Sequence, residues 1–109
     1  MATQRAKSEE IVDVRPVEGA RTQALVKTDD LEVLRLVVPR DKTIDTHQVP
    51  GDSTIHCLAG RAALFTPDRE LELSEGQLVY LQGGTPHGVR GIDDAHLLVT
   101  ICLQPKDRG

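Results

Sequence analysis

Residues 76–91 read GQLVYLQGGTPHGVRG and hold the most informative pattern in the chain. Along positions 77–82, successive side chains alternate between the two faces of a predicted strand. The pair Gly83–Gly84 predicts a chain reversal, because glycine adopts positive φ at little steric cost. Pro86 and His87 then open a returning strand. We therefore expect a hairpin with His87 near the start of its returning strand, where a histidine can point into a barrel.

Short apolar segments separated by turn residues make up most of the remaining chain. No segment repeats its apolar residues with the helical period of about 3.6. Regularly spaced short strands predict an all-β sandwich or barrel. The mostly polar residues 1–9 predict a flexible N-terminal tail, followed by one barrel domain over residues 10–105. The strand candidates are Leu31, Val33 and Leu36–Val38 in one segment, then Ser53–Ala59, Ala62–Thr66, Leu71–Leu73, Gln77–Gln82 and Leu97–Leu103.

The composition argues against several classes of protein. With 109 residues, the chain has the length of a single domain. The formal net charge of -4 and the scattered Lys and Arg argue against a nucleic-acid binder. The sequence also predicts neither a signal peptide nor a membrane span. Cys57 and Cys102 lack a CxxC spacing, which suits free thiols in a reducing compartment. We therefore expect a soluble, cytoplasmic protein without a nucleic-acid or membrane partner.

The intervals within residues 76–91 resemble the second conserved motif of the cupin superfamily. Gly76, Gly84 and His87 fall at the positions of two Gly and one His in that motif. Gln82 replaces its usual Pro, and Gly91 stands where an Asn is often found. The resemblance implies a small single-domain RmlC-like cupin of the conserved-barrel (cupin 2) type. Its fold would be one antiparallel β-barrel, also described as a jelly roll or double-stranded β-helix.

The first cupin motif, which usually supplies two His and one Glu before a closing Gly, is degenerate in this chain. If Gly60 closes it, His47 takes the first His position. Val49 then replaces the second His, and Ser53 replaces the Glu. Valine coordinates no metal, and serine is a poor ligand. Residues 47–51, HQVPG, resemble the His-x-x-Pro-Gly form of small stand-alone cupins.

A register shifted by one residue is an alternative. Asp45 would then stand for the first His, His47 for the second and Asp52 for the Glu. The misfit of one residue would then fall at Gly60, where a β-bulge would absorb it. His56, which faces out of the barrel in the first register, would face inward in the second.

The resemblance implies a site for a divalent transition metal such as Fe, Mn, Ni or Zn. Cupins usually hold such a metal with three His and one carboxylate, a donor set that suits these ions. The firm candidates here are His47 and His87. Completing a tight site would need Asp45, Asp52, His56 or a bound substrate.

Two functions therefore stay open. The first is a barrel that binds a small organic molecule, with at most a weak or incomplete metal site. The second is a metal-dependent cupin enzyme of the dioxygenase or isomerase type, with His47 and His87 as ligands. A homodimer paired through the outer sheet is also expected, with Leu58 on the outward face. The residues expected to line the ligand site are His47, Ser53, Ile55, Cys57, Tyr80 and His87.

Overall fold

The computed structural model describes residues 5–103 of the chain. Within this range all regular structure is β-strand, as the short alternating segments predict. No helix in this range is long and apolar enough to cross a membrane. The strands are β1 (Gln23–Lys27), β2 (Leu31–Val38), β3 (Thr43–His47), β4 (Ser53–Ala59), β5 (Arg61–Phe65), β6 (Glu70–Ser74), β7 (Leu78–Leu81), β8 (His87–Gly91) and β9 (Ala95–Cys102).

The strands form two antiparallel sheets. The first has five strands in the order β1-β2-β9-β4-β7, and the second has four in the order β3-β8-β5-β6. Strands that are distant in the chain become neighbours, such as β2 with β9 and β3 with β8. The predicted all-β fold class is therefore confirmed.

The core lies between the inner faces of the two sheets. In β4, alternation buries Ser53, Ile55 and Cys57 and turns Thr54 and His56 outward. The strands that flank β4 follow the same alternation, so that Leu97 of β9 is completely buried. Most of the buried core side chains are aliphatic, because the sequence offers only Phe65 and Tyr80 as aromatics.

The strand β1 was not among the strands predicted from the sequence. β1 reads QALVK, and its five residues lie at a sheet edge, where only β2 pairs with it. The N–H of Ala6 donates to the carbonyl of Leu25 in β1 at 2.8 Å, within the predicted tail. Residues 1–4 and 104–105 lie outside the described residues, so the predicted domain limits stay a prediction.

Candidate functional site

A small cavity opens between the two sheets near one end of the barrel. Its volume is about 150 Å³. Seven aliphatic side chains and two histidines line it, contributed by β2, β3, β4, β8 and β9. They are Leu34, Leu36, Ile44, His47, Ile55, His87, Val89, Val99 and Ile101.

The two histidines form the polar part of this cavity. His47 ends β3 and His87 begins β8, and the two residues are direct partners in the β3–β8 pairing. Their ring centroids are 4.5 Å apart, with 54° between the ring planes. His87 is only 6% exposed, whereas His47 is exposed at the rim. The pair therefore runs from the barrel surface into its interior.

A β-bulge in β3 aims His47 into the barrel. Ile44 pairs with Val89 and His47 pairs with His87, so β3 advances by three residues where β8 advances by two. In a regular strand, residues three apart face opposite sides. The extra residue in the bulge allows Ile44 and His47 to face the same cavity. Gly88 lies beside this irregularity, where a β-carbon would meet the Ile44 carbonyl oxygen at 3.1 Å.

Both imidazole rings hydrogen-bond to the backbone through the same nitrogen. Nδ1 of His47 lies 3.1 Å from the Asp45 carbonyl oxygen, and Nδ1 of His87 lies 2.9 Å from that of Thr85. A carbonyl oxygen only accepts, so Nδ1–H donates in each ring. In the neutral imidazole, Nε2 then carries the free lone pair. In each ring, Nε2 is therefore available to a ligand.

Two loops hold the ends of β3 and β8 together. The N–H of Gly84 donates to the Val49 carbonyl at 2.8 Å, and the N–H of Gly83 donates to Oδ1 of Asp52 at 2.8 Å. Gly84 has a φ of 84°, as the predicted reversal requires. At Gly83 the reason for glycine is close approach, because a β-carbon would lie 2.2 Å from the Pro50 carbonyl oxygen.

The donor set does not fit a tightly held divalent metal. Such sites usually use at least three protein ligands, and residues 5–103 contain no group of three His, Cys, Asp or Glu that could hold a metal ion. Asp45 is exposed, Asp52 accepts from the Gly83 N–H, and His56 lies on the outer sheet face.

The alternative register is therefore corrected by the structure. The β4–β9 pairing does shift by one residue between Cys57 and Ala59, close to the misfit at Gly60 that this register requires. However, Ser53 is buried while Asp52 is exposed, which is the orientation of the first register. Asp45 and Asp52 consequently do not join His47 in one site.

Apart from Tyr80, the expected ligand-site residues divide into two groups. His47, Ile55 and His87 line the cavity. Ser53 and Cys57 are buried on the inner face of β4, but neither is among the described residues around the cavity. Cys57 donates its S–H toward nearby carbonyls, and burial raises the pKa of its thiol. A protonated, buried thiol is a poor nucleophile, so its position favours packing.

Tyr80 requires a correction. It was expected inside the barrel, but its partner across the β4–β7 pairing is Thr54, which faces outward. Tyr80 is consequently 58% exposed. Desolvation, followed by the charge of the neighbouring Asp52, raises the pKa of its phenol. The alternation in β7 was predicted correctly, and only the choice of the inner face was wrong.

Six aliphatic side chains around the cavity were missed in the sequence. The available signal was alternation in β2 and β9, whose register places Leu34 opposite Val99. Since both strands carry apolar residues on both faces, their sequences do not show which face is inward. The six are Leu34, Leu36, Ile44, Val89, Val99 and Ile101.

Comparison with known proteins identifies the fold. No protein-family model matches the sequence, and no curated protein shows significant similarity to it. Solved structures do match. A conserved protein of unknown function from Streptococcus pyogenes superimposes with a TM-score of 0.77 at 19% identity, over 94% of this chain and 95% of that one.

Two further matches carry more specific descriptions. An RmlC-like cupin family protein with a double-stranded β-helix fold from Methanocaldococcus jannaschii gives a TM-score of 0.76 at 18% identity, over 90% and 94% of the two chains. A DMSP lyase from Ruegeria pomeroyi DSS-3 gives 0.68 at 20% identity, over 82% of this chain and 49% of that chain. Together with the two-sheet barrel, these similarities show that this chain has the cupin fold.

Proposed function

We propose that this protein binds a small, mostly apolar organic molecule inside its barrel, with His47 and His87 as the polar anchor. The observation that carries the proposal is the combination of an aliphatic cavity with two imidazoles whose Nδ1 atoms are already engaged. Small-molecule sites are mostly apolar clefts with a few convergent polar groups. This cavity follows that description.

The cavity volume limits the size of the ligand. A dry cavity of about 150 Å³ holds one benzene molecule, and the volume here is about the same. The buried part of the ligand should therefore be comparable to a six-membered ring. Larger molecules would have to extend past His47, which is exposed at the rim.

A fragment screen observed by NMR tests this proposal. Ring-sized fragments should shift the methyl signals of Ile55, Val99 and Ile101, which line the cavity. Val26 and Val33 provide control methyl signals, since both lie outside the cavity. Binding should also raise the melting temperature, because a ligand that binds only the folded state stabilises it. Failure of every ring-sized fragment to move the cavity methyls would contradict the proposal.

A metal-dependent enzyme is the second candidate. Metal-binding histidines usually donate their other N–H to a carbonyl or carboxylate, and both His47 and His87 do so. The DMSP lyase match is consistent with catalysis on this fold, although a fold does not determine a function. Since only two donors converge, a substrate would have to supply further ligands.

Elemental analysis separates the two candidates. The untagged protein would be incubated with iron, manganese, nickel and zinc, and the bound metal would be measured per chain. Near one metal per chain, lost in both His47→Ala and His87→Ala, would favour the enzyme. Metal retained equally by these variants would indicate binding elsewhere.

We also propose that the chain forms a homodimer through the outer face of the five-stranded sheet and functions in the cytoplasm. Leu78 and Tyr80 are two residues apart in β7 and are 57% and 58% exposed on that face, so they offer adjacent apolar surface that a partner would cover. The free thiols of Cys57 and Cys102 support a reducing compartment.

A further inference from the structure

We propose that the barrel selects neutral molecules that donate a hydrogen bond, namely small alcohols and phenols, over carboxylates and over apolar molecules without a hydroxyl. This inference rests on the proposed function, because it names the chemical class of the ligand in the same cavity. It follows from the tautomer of the two histidines, from the composition of the cavity walls and from the different exposures of the two rings.

The tautomer decides which partner the rings accept. Each Nδ1–H is already donated to a backbone carbonyl, in His47 to Asp45 and in His87 to Thr85. A neutral ring therefore offers only a lone pair at Nε2. A ligand carbonyl, ether or carboxylate would bring a second lone pair to that atom, whereas a hydroxyl brings the hydrogen that Nε2 lacks.

The cavity walls disfavour a charged ligand. None of the described residues that line the cavity is Lys, Arg, Asp or Glu. An anion there would need cationic imidazoles, and two cationic rings with centroids 4.5 Å apart would repel each other. A cationic ligand would lose its hydration without gaining a carboxylate partner. A neutral ligand avoids both costs.

The two rings lie at different depths in the cavity. His47 is exposed at the rim, and His87 is buried deeper between β8 and the facing sheet. Val89, Val99 and Ile101 provide apolar wall beside them. If a ligand hydroxyl bonds to the histidine pair, the rest of the ligand lies against this apolar wall. A phenol has a hydroxyl and an apolar ring in this arrangement.

The test compares three ligands of similar size on the wild-type chain: phenol, toluene and benzoate. Dissociation constants would be measured by NMR titration of the cavity methyl signals at neutral pH. A net hydrogen bond of about 1.4 kcal/mol corresponds to a tenfold change in affinity. Phenol should therefore bind about tenfold more tightly than toluene, and benzoate should bind more weakly than phenol.

Two variants connect the preference to the histidines. His87→Leu should retain toluene binding and lose the advantage of phenol. His56→Gln is the matched control, since His56 lies on the outer face, and it should behave like wild type. Nitrogen NMR of the imidazoles gives a second readout that does not depend on how well His87→Leu folds. It should show Nδ1–H and unprotonated Nε2 in both His47 and His87.

Each contrary outcome has a distinct meaning. Equal affinity for phenol and toluene would overturn the donor preference and leave the barrel as an apolar binding site. Tighter binding of benzoate would overturn it in favour of an anion. Protonated Nε2 in both rings would remove its chemical basis. If none of the three ligands moved the cavity methyls, the proposed function would fail together with this inference.

Discussion

The backbones of Gly83 and Pro50 approach so closely that a β-carbon at Gly83 would lie 2.2 Å from the Pro50 carbonyl oxygen. This contact joins the loop after β7 to the loop after β3. Those loops lead directly into His87 and follow directly from His47. A glycine that belongs to neither strand therefore lies where the loops next to the two histidines meet.

Gly83→Ala should destabilise the protein by about 3 kcal/mol, since one loop must move away from the other. The imidazole signals of His47 and His87 should shift as well. Gly76→Ala is the control: its φ is 86°, but no atom lies within 4 Å of the added β-carbon. It should cost about 1 kcal/mol from backbone strain alone. Urea denaturation measures both values, and equal losses would refute the role of the contact.

The two histidines should differ in their contribution to stability. His87→Ala removes a buried ring and leaves the Thr85 carbonyl without its partner, which should cost about 2–3 kcal/mol. His47→Ala acts at an exposed position and should cost below about 1 kcal/mol. Both variants should nevertheless weaken phenol binding. A large loss of stability in His47→Ala would show that the rim position is structural.

Filling the cavity should separate binding from stability. Val99→Phe adds ring volume where about 150 Å³ is open, so its unfolding free energy should stay within about 1 kcal/mol of wild type. Ring-sized ligands should no longer bind. Val38→Phe adds the same volume in the packed core, away from the cavity. Val38→Phe should therefore lower the free energy of unfolding by more than about 3 kcal/mol. Equal stability of the two variants would argue against an open cavity at Val99.

The two thiols should react very differently with an alkylating reagent at neutral pH. Cys102 is exposed, whereas Cys57 is buried and burial raises its thiol pKa. Since the thiolate is the nucleophile, only Cys102 should be modified in the native protein, and both cysteines after unfolding. Mass spectrometry counts the modified sites. Native Cys102→Ser should take up no label, and rapid labelling of Cys57 would contradict its burial.

The same raised pKa predicts a decrease in stability at alkaline pH. A folded pKa above the unfolded value stabilises the folded state below the unfolded pKa, and this contribution disappears as the pH rises through the folded pKa. The ordinary thiol value is 9.0, so the loss should begin near that pH. Cys57→Ala should lack this part of the decrease. If the free energy of unfolding of wild type and of Cys57→Ala changed with pH in the same way, the contribution of the Cys57 thiol would be refuted.

The proposed dimer can be tested on the exposed sheet face. Leu78→Glu should convert a dimer into a monomer in sedimentation experiments, because a charge would be buried at the interface. Ile11→Glu is the matched control, since Ile11 is 98% exposed in the N-terminal segment. A monomeric wild type at moderate concentration would rule the dimer out.

Much of the fold was predictable from the sequence because its signals are local. The Gly76, Gly84 and His87 intervals pointed to the barrel through their resemblance to a cupin motif, and the alternating β4 sequence predicted a strand; both correspond to observed strands and turns. β1 was missed because its weakly apolar sequence contributes only an edge strand. Only Leu25 of its five residues is buried, so the strand shows little apolar alternation.

The site was less predictable because it depends on register. The strand sequence of β3 does not reveal the bulge that brings Ile44 and His47 to one cavity. The inner face of β7 was also ambiguous, since Leu78 and Tyr80 are large hydrophobic residues, as are their inward neighbours. Only the partner strand decides which set is buried, as Thr54 does for Tyr80.

The bulge in β3 also affects how distant sequences should be aligned with this one. A chain with one residue fewer between Ile44 and His47 would pair regularly and could still place its histidine opposite the equivalent of His87. The gap would then belong inside β3, rather than in the loop that follows it. Searches that require a fixed spacing across this strand would miss such homologues, even where the paired histidines are retained.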